Sequence, residues 1–199
     1  MKKTCALLLL ALPVAASAGD WSISLRGGPS RSDQGANDLR EALAERGHSA
    51  TTEVDAHSAA AIAAVGYRIN RLLTLEASLG TLGNYEATAT ATPSNAAAFA
   101  RDFAGHRPAG GEFIGVGLRQ DLPLMRDIAL TTRIGGFGWQ LDSDSSGRDD
   151  DGIGLMLGLA LRYAPAGRWA FAIGGDHFDQ GDHGVIGVLH AGLEYRLSD

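Results

Sequence analysis

From residue 151 the chain alternates between large apolar and small or polar side chains. The odd positions read Ile153, Leu155, Leu157, Leu159, Leu161 and Tyr163, and the even ones Gly152, Gly154, Met156, Gly158, Ala160 and Arg162. Successive side chains of a strand point to opposite faces, so this is a period-2 segment with one wholly apolar face. The end of the chain repeats it, with Val185, Gly187, Leu189, Ala191, Leu193, Tyr195 and Leu197 opposing His190, Gly192, Glu194 and Arg196. Six more segments follow the same rule. Trp21, Ile23 and Leu25 oppose Ser22, Ser24 and Arg26; Ala61, Ala63, Val65 and Tyr67 oppose Ala64, Gly66 and Arg68; Leu73, Leu75, Ala77 and Leu79 oppose Thr74, Glu76, Ser78 and Gly80. Ile114, Val116 and Leu118 oppose Gly115, Gly117 and Arg119; Ile128, Leu130 and Ile134 oppose Thr131 and Arg133; Trp169, Phe171 and Ile173 oppose Ala170, Ala172 and Asp176. The pattern predicts eight strands. The longest apolar run beyond residue 18, Ser58 to Tyr67, is too short to cross a bilayer as a helix but has the length of a tilted membrane strand.

Polarity decides which face points inward. A soluble barrel hides its large apolar residues and shows its charges, whereas a membrane barrel reverses this because lipid is its outer solvent. Here the apolar faces carry almost no charge, while Arg26, Arg68, Glu76, Arg119, Arg133, Arg162, Glu194 and Arg196 stand among glycines on the opposite faces. Small residues beside a few pairing charges suit the interior of an eight-strand barrel, which has room only for side chains. The expected fold is therefore an all-β, eight-stranded antiparallel up-and-down transmembrane β-barrel. Trp21, Tyr67, Tyr163, Trp169 and Tyr195 share the outward parity and fall at one rim, as an aromatic girdle at headgroup level does. Short links at that rim (69–71, 120–127, 164–167) contrast with the segments 29–56, 84–108, 141–151 and 179–183 at the other, matching short periplasmic turns and longer outer loops. Phe137 and Trp139 fall on the inward face, which predicts a register-resetting bulge at Gly135-Gly136.

Composition places these strands in a cell. Lys2 and Lys3, the apolar stretch from Cys5 to Val14 and the small residues Ala16-Ser17-Ala18 read as a secretory signal peptide over 1–18, leaving a barrel domain over 19–199. That removal takes both lysines and the single cysteine, leaving 15 arginines against 23 acids and a net charge of −8. A cysteine-free chain suits an oxidising periplasm or cell surface, and the negative balance argues against nucleic acid, which needs a basic face. Of the 199 residues 27 are Gly, roughly twice the usual share.

With these residues in view, the chain resembles the transmembrane domain of outer membrane protein A and its small relatives. TTRIGGFGWQLDSDS, Thr131 to Ser145, is similar to that family's fifth strand and following loop, with Arg133, Gly135, Gly136 and Trp139 at matching places. GLEYRL, Gly192 to Leu197, resembles the closing strand, and GYRINRLLTLEASLGTLG, Gly66 to Gly83, the second and third, with Glu76 where the family keeps an inward acid. The resemblance implies a monomeric barrel in a bacterial outer membrane, without cofactor. Its partners would be outer-membrane lipid, lipopolysaccharide and the barrel assembly machinery, and its role structural or one of surface interaction through the outer loops, without catalysis. Arg162 stands where the family has a sixth-strand acid and Ala172 where it has a seventh-strand base, so Glu76 needs another partner, for which Arg119, Arg133 and Arg26 are candidates. Leu197 replaces the closing aromatic that the assembly machinery reads. No residues remain for the peptidoglycan-binding domain that full-length members add.

Candidate chemistry is confined to loops. Asp142, Asp144, Ser146 and Asp150 lie in a run that begins like a calcium loop, but its twelfth position is Ile153 instead of a bidentate Glu, so a solvated acidic loop is the simpler reading. Asp176, His177, Asp179, Asp182 and His183 cluster at the last outer loop without a serine; a solvated loop again competes with a lipid A-modifying hydrolase or acyltransferase. His190 faces inward as a hydrogen-bonded interior residue. In the first loop, Asn37 is expected to cap a helix from Asp38 to Arg46 that stops at Gly47, with Leu39, Ala42 and Leu43 on one face. Residues 86–100 extend the third strand or form a mobile outer loop. A narrow ion-conducting barrel is the remaining alternative to a filled one.

Overall fold

Eight of the chain's strands close on themselves. In the computed structural model, which describes residues 21–92, 95–107, 110–140, 151–165 and 167–197, the strands are β1 (Trp21–Ser32), β2 (Ala50–Asp55), β3 (His57–Arg68), β4 (Leu73–Thr81), β5 (Glu86–Ala91), β6 (Glu112–Pro123), β7 (Ile128–Gln140), β8 (Asp151–Tyr163), β9 (Trp169–Asp179) and β10 (Val185–Arg196). The helices are α1 (Ala36–Glu45) and α2 (Ala96–Ala104). The barrel order is β1-β10-β9-β8-β7-β6-β4-β3, and β1 closes it by pairing with both β3 and β10, every pair antiparallel. Closure leaves the barrel no edge strand to manage. No described helix is long and apolar enough to cross a membrane.

The alternation does what its polarity predicts. Leu25, Ile114, Ile134, Ile173 and Leu189 are all more than half exposed, and Ile153 is 88% exposed. The arginines and acids of the opposite faces are inside. The bulge expected at Gly135-Gly136 does not form: β7 pairs without interruption with β6 from Pro123↔Ala129 to Glu112↔Gln140, and with β8 from Ile128↔Tyr163 to Gln140↔Asp151. Phe137 and Trp139 keep their inward parity and are 2% and 4% exposed. They have somewhere to go, because the outer half of the barrel is filled with apolar side chains.

Glycine makes the room. Across the β7–β8 ladder Trp139 faces Gly152, Phe137 faces Gly154 and Arg133 faces Gly158. A Cβ on Gly152 would come within 2.7 Å of the Trp139 ring, one on Gly154 within 2.7 Å of the Phe137 ring, and one on Gly158 within 2.2 Å of Asp176 Oδ1. Each large inward residue on β7 thus lies over a glycine on β8. Lateral packing of large against small is how a barrel too narrow for a channel is filled.

The outer loops carry structure that alternation within one strand cannot show. β2 and β5, from two different loops, pair from Ala50↔Ala91 to Asp55↔Glu86 and form a separate two-stranded sheet. β5 therefore does not extend the third wall strand, β4, but belongs with α2 to the outer loop. α1 packs on β2 through buried Leu39 and Leu43, with Ala42 half-buried beside them. The helix starts two residues earlier than expected: Gly35 is its N-cap, and Asp38 Oδ2 accepts from the Gly35 N–H at 2.8 Å, whereas Asn37 Oδ1 accepts from Arg40 instead. Gly47, at φ +81°, ends it in the left-handed conformation open to glycine. α2 is capped by Asn95, whose Oδ1 accepts from the Ala98 N–H at 3.1 Å.

Candidate functional site: a layered barrel interior

Side chains of the inward parity sort into two layers by depth. Toward the short-link rim lies a charged layer. Arg26 on β1, Glu76 on β4, Arg119 on β6, Arg133 on β7, Arg162 on β8, Asp176 on β9, and His190 and Glu194 on β10 are each 7% exposed or less. Glu76 gathers all three of its candidate partners: Oε1 accepts from Arg26 Nη2 at 3.0 Å and lies 3.8 Å from Arg133 Nε, and Oε2 lies 3.6 Å from Arg119 Nη1. Glu194 takes Arg119 Nη1 at 2.8 Å and Arg162 Nη2 at 2.7 Å. Asp176 completes the set, with Arg133 Nη1 at 3.3 Å, Arg26 Nη1 at 3.8 Å and His190 Nε2 at 3.3 Å.

Arg162 therefore has an acidic partner in Glu194, and the seventh-strand Ala172 leaves no gap in the pairing. Arg119 is the hub, since it also lies 3.5 Å from Asp121, whose other oxygen accepts from Thr131 at 2.7 Å. Arg68 and Arg196 sit lower, at the short-link mouth, and are only half-buried. Asp176 falls in two readings of the sequence, inward by its parity and in the last-loop cluster by its proximity to His177 and Asp179; its parity prevails, and it is 3% exposed.

Toward the long-loop end the interior is apolar. Phe113, Phe137 and Phe178 form a triangle with ring centroids 5.2, 5.2 and 6.0 Å apart, packed with Ile62, Leu82, Trp139, Met156, Ile186 and Val188. Phe178 has no exposed surface. His183, in the 3-10 turn Gly181–His183, sets its ring on Trp139 at 4.9 Å and covers the layer from outside. Two of the ring pairs meet edge to face and the third is tilted, so the layer packs densely; Trp139 Nε1 is buried there without a hydrogen-bond partner.

The last-loop cluster does not converge. Asp176 points into the barrel, His177 and Asp179 point out from β9 and are exposed, and His183 lies over Trp139. Asp179 Oδ1 is engaged with the Gly181 N–H at 2.9 Å. The side chain of Asp182, the acidic run with Asp142, Asp144, Ser146 and Asp150, and the signal peptide expected over 1–18 all lie outside the described residues. Among the described residues no group of three potential metal ligands comes together.

At the short-link rim, Trp21 pairs with Tyr67 across β1–β3 and Trp169 with Tyr195 across β9–β10, ring centroids 5.1 and 4.7 Å apart. Tyr163 stands opposite Ile128 at the same level. At the other end, β2 and β5 turn Thr51, Glu53, Asp55, Glu86, Thr88 and Thr90 to solvent as one exposed face. His48 Nε2 meets Asp102 Oδ2 at 2.8 Å, and its ring packs on Phe99 at 5.3 Å, tying the α1 segment to α2.

No protein-family model matches the sequence, and no curated protein matches it. Solved structures do match by shape. The N-terminal β-barrel domain of Pseudomonas aeruginosa OprF is similar at 10% identity and a TM-score of 0.53, over 89% of this chain and 98% of that one. Neisserial surface protein A is similar at 14% identity and 0.54, over 88% and 96%. Ail, the attachment invasion locus protein of Yersinia pestis, is similar at 13% identity and 0.50, over 89% and 97%, and a further structure of it holds the heparin analogue sucrose octasulfate. At these identities the likeness concerns architecture. The fold is that of the small eight-stranded outer-membrane barrels, of the outer membrane protein A type.

Proposed function

We propose that this chain is a monomeric barrel of a bacterial outer membrane with a structural or surface-interaction role through its outer loops, and without catalysis. The observation that carries the reading is the inverted polarity of the barrel, leucines and isoleucines outside and ion pairs inside. Such a surface is incompatible with water as the outer solvent, since exposed apolar patches on soluble monomers are far smaller. The outward aliphatic band takes lipid acyl chains. Trp21, Tyr67, Tyr163, Trp169 and Tyr195 mark the periplasmic headgroup level.

The β2–β5 sheet with α1 and α2 forms a built platform on the lipopolysaccharide side, and this gives the outer loops a surface to present. Its exposed face carries Glu53, Asp55 and Glu86 among threonines. That charge favours a neutral or cationic partner over a polyanion of the kind bound to Ail. The lipid-modifying alternative loses support because β9 parity sends Asp176 and His177 to opposite sides of the wall.

Fractionation tests the location: the protein is expected in the outer membrane, extracted only by detergent and migrating faster on gels before heating than after. Recovery as a soluble protein without detergent refutes the reading. Mass spectrometry of lipid A is expected to be identical with and without the protein, and a deacylated or acylated species would move the chain among the enzymes.

A further inference from the structure

In the charged layer the cations outnumber the acids. Among the described residues the buried members are Arg26, Arg119, Arg133 and Arg162 against Glu76, Asp176 and Glu194. Adding the half-buried shell does not restore balance, because Asp121 brings one acid while Arg68 and Arg196 bring two more cations. Arg196 stands within electrostatic reach of both Arg162 and Arg68. Arginine does not discharge by losing its proton. An uncompensated charge in an interior walled by lipid is costly, so the excess calls for a counter-ion.

Two further features locate it. Arg26 Nε and Nη1, Arg119 Nε and Arg133 Nε make no hydrogen bond within the chain although all three side chains are at least nine-tenths buried. A cavity of about 10 Å³ lies among them, lined by Arg26, Arg119, Arg133, Arg162 and Glu194. It exists because Ala172 and Gly192, which pair with each other and with Arg162 and Arg26 respectively, bring almost no side chain to that part of the wall. The space admits a single particle of about the size of a water molecule. A cation is disfavoured, since both oxygens of Glu194 are already taken by Arg119 and Arg162.

We propose that this cavity binds one small monovalent inorganic anion of about chloride size. It enters from the short-link mouth past Arg196 and Arg68. The single excess buried charge sets its valence, the small cavity restricts it to a monatomic ion, and the flexible guanidinium arms around it move slightly apart to admit an ion larger than water. The aromatic layer closes the other end, so the site is a blind vestibule that holds the ion without passing it.

Chloride NMR on the full chain folded in detergent tests this. Line broadening in excess of a detergent blank is expected, displaced by bromide and not by gluconate. Ala172→Glu brings a carboxylate into the cavity opposite Arg162 and is expected to return the linewidth to the blank while the heat-modifiable migration persists. Arg162→Gln, which removes one cation without filling the cavity, serves as the second variant and is expected to weaken chloride binding about tenfold. Absence of excess broadening in the unmodified protein means that water alone occupies the cavity and overturns the proposal. Excess broadening that survives in both variants assigns the chloride to surface arginines and overturns it equally.

Discussion

The charged and aromatic layers occupy one barrel, share one set of strands and use one packing device, yet they respond differently to loss. In both, an inward side chain lies across from a glycine: Arg133 over Gly158 below, Phe137 over Gly154 and Trp139 over Gly152 above. In the charged layer the neighbours of a deleted group are ions that remain charged and become unpaired. In the aromatic layer they are rings that lose contact and leave a void. The shared device explains the glycine content, and the contrast separates two tasks, fixing the strands to one another and closing the bore.

The largest effect is expected where the shared device is attacked. Gly158→Val puts its Cβ within 2.2 Å of the present position of Asp176 Oδ1 and 3.2 Å from Arg133 Cβ. Both ends of that ion pair would have to move inside a closed wall. The variant is expected to fail to assemble, read as loss of the fast-migrating unheated band. Gly167→Val is the control for backbone strain: Gly167 has φ +117° but no atom within 4 Å of its added Cβ, so this variant is expected to assemble with a local penalty only.

Truncation within the layers distinguishes their tasks. Phe178→Ala removes the central ring of the triangle and is expected to cost about 3–5 kcal/mol by denaturant titration. It should also raise ion conductance in planar bilayers above that of the unmodified protein. Glu194→Gln leaves Arg119 and Arg162 without the carboxylate they share and is expected to cost about 2–3 kcal/mol. With the rings intact above it, conductance should stay at the unmodified level. Conductance from Glu194→Gln and none from Phe178→Ala would place the seal in the ion pairs and reverse the assignment.

Parity made the barrel legible because each side chain's face depends only on whether its number is odd or even. All eight wall strands and the inward set from Arg26 to Glu194 could be read this way. Depth was less accessible, since it depends on strand tilt and on where each strand begins. Phe137 and Trp139 looked like errors of register when they were the floor of a second layer, and Arg68 and Arg196 looked equivalent to Arg119 although they lie at the mouth. Asp176 shows the same limit from the other side, being three residues from the exposed end of its strand at Asp179 and yet inside. The β2–β5 sheet was out of reach because its two strands come from different loops, and neither ATTEVD nor EATATA has a large apolar face to declare a partner.

That outer sheet supplies the mildest test, because it asks whether a third region depends on the two layers at all. Its link across α1 and α2 rests on His48, which meets Asp102 at 2.8 Å and packs on Phe99. The pair is partly open to solvent, so its removal is expected to cost only about 1 kcal/mol. The wall strands hold the bases of both loops independently, through Ser32 N–H to Ala56 C=O at 3.0 Å and Leu82 N–H to Gly111 C=O at 3.0 Å. His48→Ala should therefore leave the denaturation midpoint of the barrel nearly unchanged while increasing the rate at which a protease cuts within α2, after Arg101. Equal protection of that bond in the variant would mean that the β2–β5 ladder alone holds the platform. A large fall in barrel stability would mean that the outer loops brace the wall, and the aromatic layer would then owe part of its closure to what lies above it.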